Sequence, residues 1–295
     1  MVKIPPGPKA KARALLRRTR RLAVRLFASY DSPELIEALR RLGIRPGDSV
    51  MVHSAFEPHH GFRGSSADVI DALLAAVGPE GTLLMPSLPY STSSQQWLDK
   101  GKLFDVRKTP SAMGLVSEMF RRRPGVGRSV HPTHPVLAFG AKAEWFLSDH
   151  EKAIHPCGPG TPFGKLLDAR GKVAFLNVPF FVFTFFHYLE HHLLPHLPYR
   201  LYAEPAYEVP VVNWQGETQT VRTHVFTRDA IRRRRAEVLE QRLRSSGVLR
   251  SVRVGASRLL ALDLQDVMQC VDDMVREGVF FLDMSPAGDE QGVGR

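Results

Sequence analysis

The sequence predicts an α/β fold. Two observations carry this. A short apolar strand at Ser49–His53 is followed by a glycine-rich loop, a capped amphipathic helix and a second apolar strand at Thr82–Met85. Residues from about 207 to 226 alternate in the manner of strands. The first pattern is a strand–helix–strand unit, which implies a parallel pair.

The elements follow in order. Residues 1–30 form a basic arm with Lys9, Lys11, Arg13, Arg17, Arg18, Arg20, Arg21 and Arg25, read as one amphipathic helix. Ser32-Pro33-Glu34 starts a helix with a cap, a first-turn proline and an early acid. Leu35, Ile36, Leu39 and Leu42 supply its apolar stripe, and Gly43 closes it. Ser65-Ser66-Ala67-Asp68 has capping-box spacing, and Val69, Leu73, Leu74 and Val77 line the helix behind it. After Pro86 the chain is polar and loop-like to about Lys108. Helices are expected over 111–121, 141–150 and 163–169, and a strand over 173–178. Residues 128–139 should be irregular, because a residue before proline avoids the helical region. A further helix begins at Thr184, and two more cover 227–244 and 257–277. Residues 31–285 are expected to form one domain, with 286–295 as a loose tail.

Composition bounds the function. Of 295 residues, 43% are hydrophobic and 24% charged, ordinary values for a globular protein. The longest apolar stretch, Val178 to Phe186, is far short of the roughly 20 residues of a membrane span. The N-terminus lacks an apolar core followed by a small-residue cleavage site, so it does not read as a secretory signal. Two cysteines, Cys157 and Cys270, give no disulfide framework, and a cytoplasmic location is expected. A net charge of +10 favours anionic partners. The runs Arg121–Arg123 and Arg232–Arg235 read as solvated helix faces. No nucleic-acid-binding module accompanies them, so nucleic acid is not expected as a partner.

The chemistry concentrates at Thr184-Phe185-Phe186-His187-Tyr188-Leu189-Glu190-His191. A hydroxyl, an imidazole and a carboxylate recur every three residues there, and such positions share a helix face. A carboxylate one turn from a histidine orients it and raises its basicity, as a general base requires. The run also spells H-x-x-E-H from His187 to His191, the inverted zincin pattern. A zinc hydrolase would take its third ligand from Glu204, Glu208, Glu217 or Glu237. Cys157, in a loop stiffened by Pro156, Pro159 and Pro162, offers a thiol for an acyl-enzyme route.

An ordered set of segments resembles the aminoglycoside 3-N-acetyltransferase family. They are Gly47 to Ser54, the loop Gly61–Gly64, Ala72-Leu73, Val77 to Pro86, Arg128 to Pro132, Gly158 to Pro162, and Thr184-x-x-His187-x-x-Glu190. The resemblance runs from about residue 32 to 280. It implies a three-layer α/β/α sandwich with a central mixed sheet. It also implies an acyl-CoA-dependent N-acyltransferase with acetyl-CoA as co-substrate and no metal. His187 would be the general base, Glu190 its orienting acid, and Thr184 a donor to the developing oxyanion. Ser54, Ala55, Phe56, Gly61, Gly64 and Ser65 would hold the coenzyme at a helix N-terminus, with Arg63 on a phosphate. Tyr90, Asp105 and His131 would line the acceptor site, with a lesser expectation for His134. The acceptor would be a small-molecule amine: an amino sugar, an aminoglycoside or a natural-product intermediate. An acyl-carrier protein is the alternative donor, and a homodimer is compatible with the sequence. Polycationic antibiotics want acidic pockets, and the acids expected near the cleft are few: Asp99, Asp105 and Glu57.

Overall fold

The computed structural model describes residue 19, residues 22–24 and residues 26–286. Most of the basic arm, and all of the tail beyond residue 286, lie outside the described residues. In chain order the strands are β1 (Ser49–Ser54), β2 (Thr82–Pro86), β3 (Phe104–Asp105), β4 (Gly127–Arg128), β5 (Val136–Gly140), β6 (Lys172–Leu176), β7 (Tyr207–Val212), β8 (Thr218–Thr223), β9 (Arg250–Val254) and β10 (Ser257–Asp263). The α-helices labelled are α1 (Ser32–Arg41), α2 (Ser66–Val77), α3 (Ser94–Leu98), α4 (Leu115–Arg121), α5 (Ala143–Leu147), α6 (Pro162–Asp168), α7 (Phe186–His192), α8 (Arg228–Arg232), α9 (Ala236–Ser245) and α10 (Leu264–Arg276).

The parallel pair expected from the sequence is present. β1 lies between β2 and β6, parallel to both. Antiparallel strands extend each side, giving the order β4-β5-β2-β1-β6-β10-β9. The sheet is therefore mixed. Alternation along β1 sends Val50 and Val52 to one face and Met51 and His53 to the other. The first face buries Leu83 and Met85 with Leu35 and Leu39 of α1, Leu73 of α2 and Phe120 of α4. The second buries Leu84 and Phe175 with Phe163 of α6, Leu189 of α7, Leu239 of α9 and Val271 of α10. This is the expected three-layer α/β/α arrangement. A smaller sheet, β3-β7-β8, packs Phe104, Val209, Val211 and Val221 around Trp97.

Several local expectations change. Asp31, not Ser32, caps α1, in a capping box with Glu34. The capping box at Ser65 and Asp68 forms as expected. Residues 257–277 are not one helix. Ser257–Asp263 is a buried strand between β6 and β9, and only Leu264–Arg276 is helical. The leucines at 259, 260 and 262 suit either period, which a short apolar run cannot settle. Residues 127–128 and 136–140 pair as β4 and β5, so only the histidine–proline stretch between them is irregular. The loop-like stretch after Pro86 holds α3 and β3, and the helix expected over 141–150 shrinks to α5 and a 3-10 turn at His150–Lys152. The helix expected over 227–244 breaks at Arg233–Arg235. There the backbone pairs with the returning C-terminal segment, Arg235 N–H donating to Phe281 O at 2.9 Å and Asp283 N–H to Arg233 O at 2.8 Å. Among the described residues no helix is long and apolar enough to cross a membrane.

Two outcomes follow from this packing. Phe175 is fully buried, its ring 5.3 Å from His53 and 5.8 Å from Phe180 and Phe183. Phe175→Ala should cost about 3–5 kcal/mol, read from urea unfolding; a loss below ~1 kcal/mol would contradict the packing. Burial also holds His53 at about 3 and His150 at about 4, against an ordinary 6.5. Between 6.5 and about 4 the unfolded chain binds protons that the folded chain refuses. Stability is thus full above 6.5 and falls as pH drops through that window. A thermal midpoint unchanged across it would contradict the burial of these rings.

Candidate active site

The site forms where the second face of the sheet meets α7. Thr184 precedes that helix rather than lying on it. Its carbonyl accepts from His187 N–H at 3.1 Å, so hydroxyl and imidazole sit three residues apart on one turn. The Thr184 hydroxyl lies over the end of β1, 3.5 Å from His53 Nε2 and 3.6 Å from Met51 Sδ. From His187, Nδ1 meets Glu190 Oε2 at 3.0 Å. The carboxylate accepts there, so Nδ1 carries the ring proton and Nε2 is left to accept one. The Glu190 side chain is 0% exposed and that of His187 is 17% exposed.

A buried carboxylate needs compensation. Arg234 supplies it: its Nε donates to Glu190 Oε1 at 2.7 Å, and its guanidinium lies 5.1 Å over the Phe226 ring. This corrects the reading of Arg232–Arg235 as a solvated run. The helix break turns two members of the run inward: Arg233, 11% exposed, pairs with Asp229, and Arg234, 22% exposed and bridged to Leu282, pairs with Glu190. A basic run gives no sequence signal for which of its members is buried. The His187 pKa is lowered, first by burial and then by the Arg234 charge, with Glu190 opposing both. The imidazole is therefore neutral at neutral pH.

Rings enclose His187. Phe226 lies 4.8 Å away and His134 meets it edge-on at 5.4 Å. His134, rather than His131, thus abuts the base. Behind it, His131 stacks on His150 at 4.3 Å, and its Nδ1 accepts the backbone N–H groups of Thr133 at 3.3 Å and His134 at 3.2 Å. Tyr90 joins through its hydroxyl, 3.4 Å from His134 Nε2. Asp105 serves a turn of the small sheet instead, accepting from Arg107 N–H at 2.8 Å and Lys108 N–H at 3.1 Å. Asp99 is engaged by the Tyr207 hydroxyl at 2.9 Å.

The coenzyme residues expected from the sequence divide. Ser54, Ala55 and Phe56 line a cleft with Phe62 and Asn177, at the carboxyl ends of β1 and β6. Crevices at that edge are where open α/β sheets bind ligands. Gly61 takes φ +86, where a side chain would be strained and a Cβ would fall 2.5 Å from Ala28 O. Gly64 and Ser65 lie against Asp68, whose carboxylate accepts from Ser65 N–H at 2.7 Å. Arg63 is bound to Asp31 at 2.9 Å and Glu34 at 3.4 Å, so acids of the α1 start already occupy it.

The zinc and thiol alternatives fare as follows. His187 is held by Glu190, while His191 Nδ1 meets the Tyr202 hydroxyl at 3.0 Å. Among the described residues no group of three His, Cys, Asp or Glu side chains is placed to hold a metal ion. Cys157 is fully buried, and burial followed by the Glu190 charge pushes its thiol well up. It stays protonated and is a poor nucleophile.

Known proteins share this arrangement of the chain. The aminoglycoside 3-N-acetyltransferase profile matches residues 51–276. Aminoglycoside N(3)-acetyltransferase III of a Salmonella species is 29% identical over 195 residues, covering 62% of this chain and 66% of that protein, just under two thirds of its length. Aminoglycoside N(3)-acetyltransferase VII of Streptomyces paromomycinus is 29% identical over 270 residues, covering 82% of this chain and 92% of that one. A solved structure described as AAC-IIIb binary with CoASH superposes with a TM-score of 0.71 at 26% identity, covering 88% of this chain and all of the other. The chain belongs to the aminoglycoside 3-N-acetyltransferase family.

Proposed function

We propose that the protein transfers an acetyl group from acetyl-CoA to a primary amine of an amino sugar or aminoglycoside, with His187 as general base. The observation that carries this is the chain His187–Glu190–Arg234, buried at its carboxylate and open at His187 Nε2, in a protein of this family. The amine attacks the thioester carbonyl, forming a C–N bond. His187 Nε2 takes the proton that the nitrogen sheds. Glu190 steadies the imidazolium, and Arg234 holds Glu190 in place. The Thr184 hydroxyl, set on the turn before His187, donates to the oxyanion. As the carbonyl re-forms, the C–S bond breaks and the thiolate of coenzyme A receives the proton held by His187. Ser54, Ala55 and Phe56 would flank the thioester arm, and His134 and Tyr90 the acceptor. Two free, buried cysteines suit a reducing, cytoplasmic setting.

Thiol release with acetyl-CoA against a panel of amines tests this directly. Release that depends on an amine is expected. His187→Ala should lower kcat/KM by about 10²–10⁴; undiminished turnover would mean another group is the base. The acid limb of kcat/KM should fall below the ordinary histidine value of 6.5, because the His187 pKa is lowered and activity needs the neutral ring. A limb above 6.5 would contradict it. Arg234→Ala leaves Glu190 buried and uncompensated and should cost about 3–5 kcal/mol of stability. Loss of less than ~1 kcal/mol in chemical denaturation would remove Arg234 from this role.

A further inference from the structure

A second cavity, of about 330 Å³, opens beside the cleft at Ser54–Phe56. His60 and Asn177 line both, so the two are continuous along the carboxyl end of β6. The new cavity continues over Val178, Pro179 and Phe180, a few residues before Thr184, to Glu240 and Arg244 of α9 and Arg258 of β10. Arg258 faces Arg253 directly across the β9–β10 pair, and both are exposed. Like charges opposite one another on a sheet repel. Among the described residues neither guanidinium has a carboxylate partner. Arg258 shares a sheet face with Leu260, which packs against the α9 core, so its side chain and that of Arg253 stand on the side of Arg244. Arg244 is held by Glu240 at 2.7 Å, leaving three arginines against one glutamate. The position is also fixed from below: Asn177 adopts φ 57, its N–H donates to Arg258 O at 3.1 Å, and its Oδ1 accepts from Arg258 N–H at 3.3 Å.

We infer that this cavity seats the phosphates of the nucleotide end of the acyl donor, with Arg258 and Arg244 in its lining and Arg253, opposite Arg258, at the rim as the phosphate-binding cations. The chemistry is oxyanion recognition by guanidinium forks, and an anion between Arg253 and Arg258 turns a repulsive pair into a site. It replaces Arg63, which acids already hold. It also selects free coenzyme A over an acyl-carrier protein as donor, because only the former brings a nucleotide to a site beyond Asn177. The inference rests on the proposed use of acetyl-CoA.

The test compares acetyl-CoA, acetyl-dephospho-CoA and S-acetylpantetheine as donors in the full-length wild type and in the double variant Arg253→Glu/Arg258→Glu. Affinities for coenzyme A come from calorimetry. In the wild type, coenzyme A should bind, and kcat/KM should favour acetyl-CoA over S-acetylpantetheine. In the double variant that ratio should fall at least tenfold, and coenzyme A should bind at least tenfold more weakly. Arg253→Gln/Arg258→Gln should lie between. Using a ratio within each variant separates lost recognition from lost fold. A wild type that binds coenzyme A with unchanged affinity and ratio in both variants overturns the assignment of this cavity while leaving the acetyl-transfer reading intact. A wild type that neither binds coenzyme A nor uses any of the three donors overturns the donor reading itself.

Discussion

One buried carboxylate organises this molecule's chemistry. Glu190 has no exposure to water, and its two oxygens are divided between an imidazole and a guanidinium. A lone carboxylate in that place would protonate or pull water inward. Arg234 Nε donates to one oxygen of Glu190, and the other accepts from His187, which fixes the ring proton on Nδ1. The free nitrogen is then the one turned away from the carboxylate. Burial and the arginine's charge keep the ring neutral, while the carboxylate keeps it basic enough to act. Removing any member changes the state of the other two.

The fold serves this triplet by bringing distant parts of the chain together. α7 supplies the histidine and the acid one turn apart. The end of β1 supplies the floor, where His53 and Met51 meet the Thr184 hydroxyl. The C-terminal segment, by pairing with residues 233–235, interrupts what would otherwise be one long surface helix and delivers Arg234 to the core. The ring wall of Phe226 and His134 then limits water around the base. The cleft lined by Ser54, Ala55 and Phe56, proposed for the thioester arm, lies at the carboxyl ends of β1 and β6.

Much of this was legible in the sequence, and the parts that were not share a cause. β1, α2 and β2 carry their own signals: an apolar run, a capping box and a glycine stop, all local. The spacing of His187 and Glu190 likewise needs only helical geometry, whereas Thr184 sits on the turn before the helix. What sequence reading missed depends on partners far along the chain. Ser257–Asp263 is a strand because β6 and β9 flank it, and its leucines do not say so. Arg234 reaches Glu190 because Phe281–Asp283 returns past it, and nothing in a run of four arginines says which of them will turn inward. Asp105, which the resemblance set at the acceptor site, accepts from backbone N–H groups two and three residues on, a local contact that its charge does not announce.

The central claim concerns a proton's position on one ring, and nitrogen NMR of His187 in the unliganded protein reads it directly. The account requires a neutral ring protonated on Nδ1, with protonation of Nε2 beginning only below the ordinary 6.5. A neutral ring carrying its proton on Nε2, or a ring charged above 6.5, would contradict it.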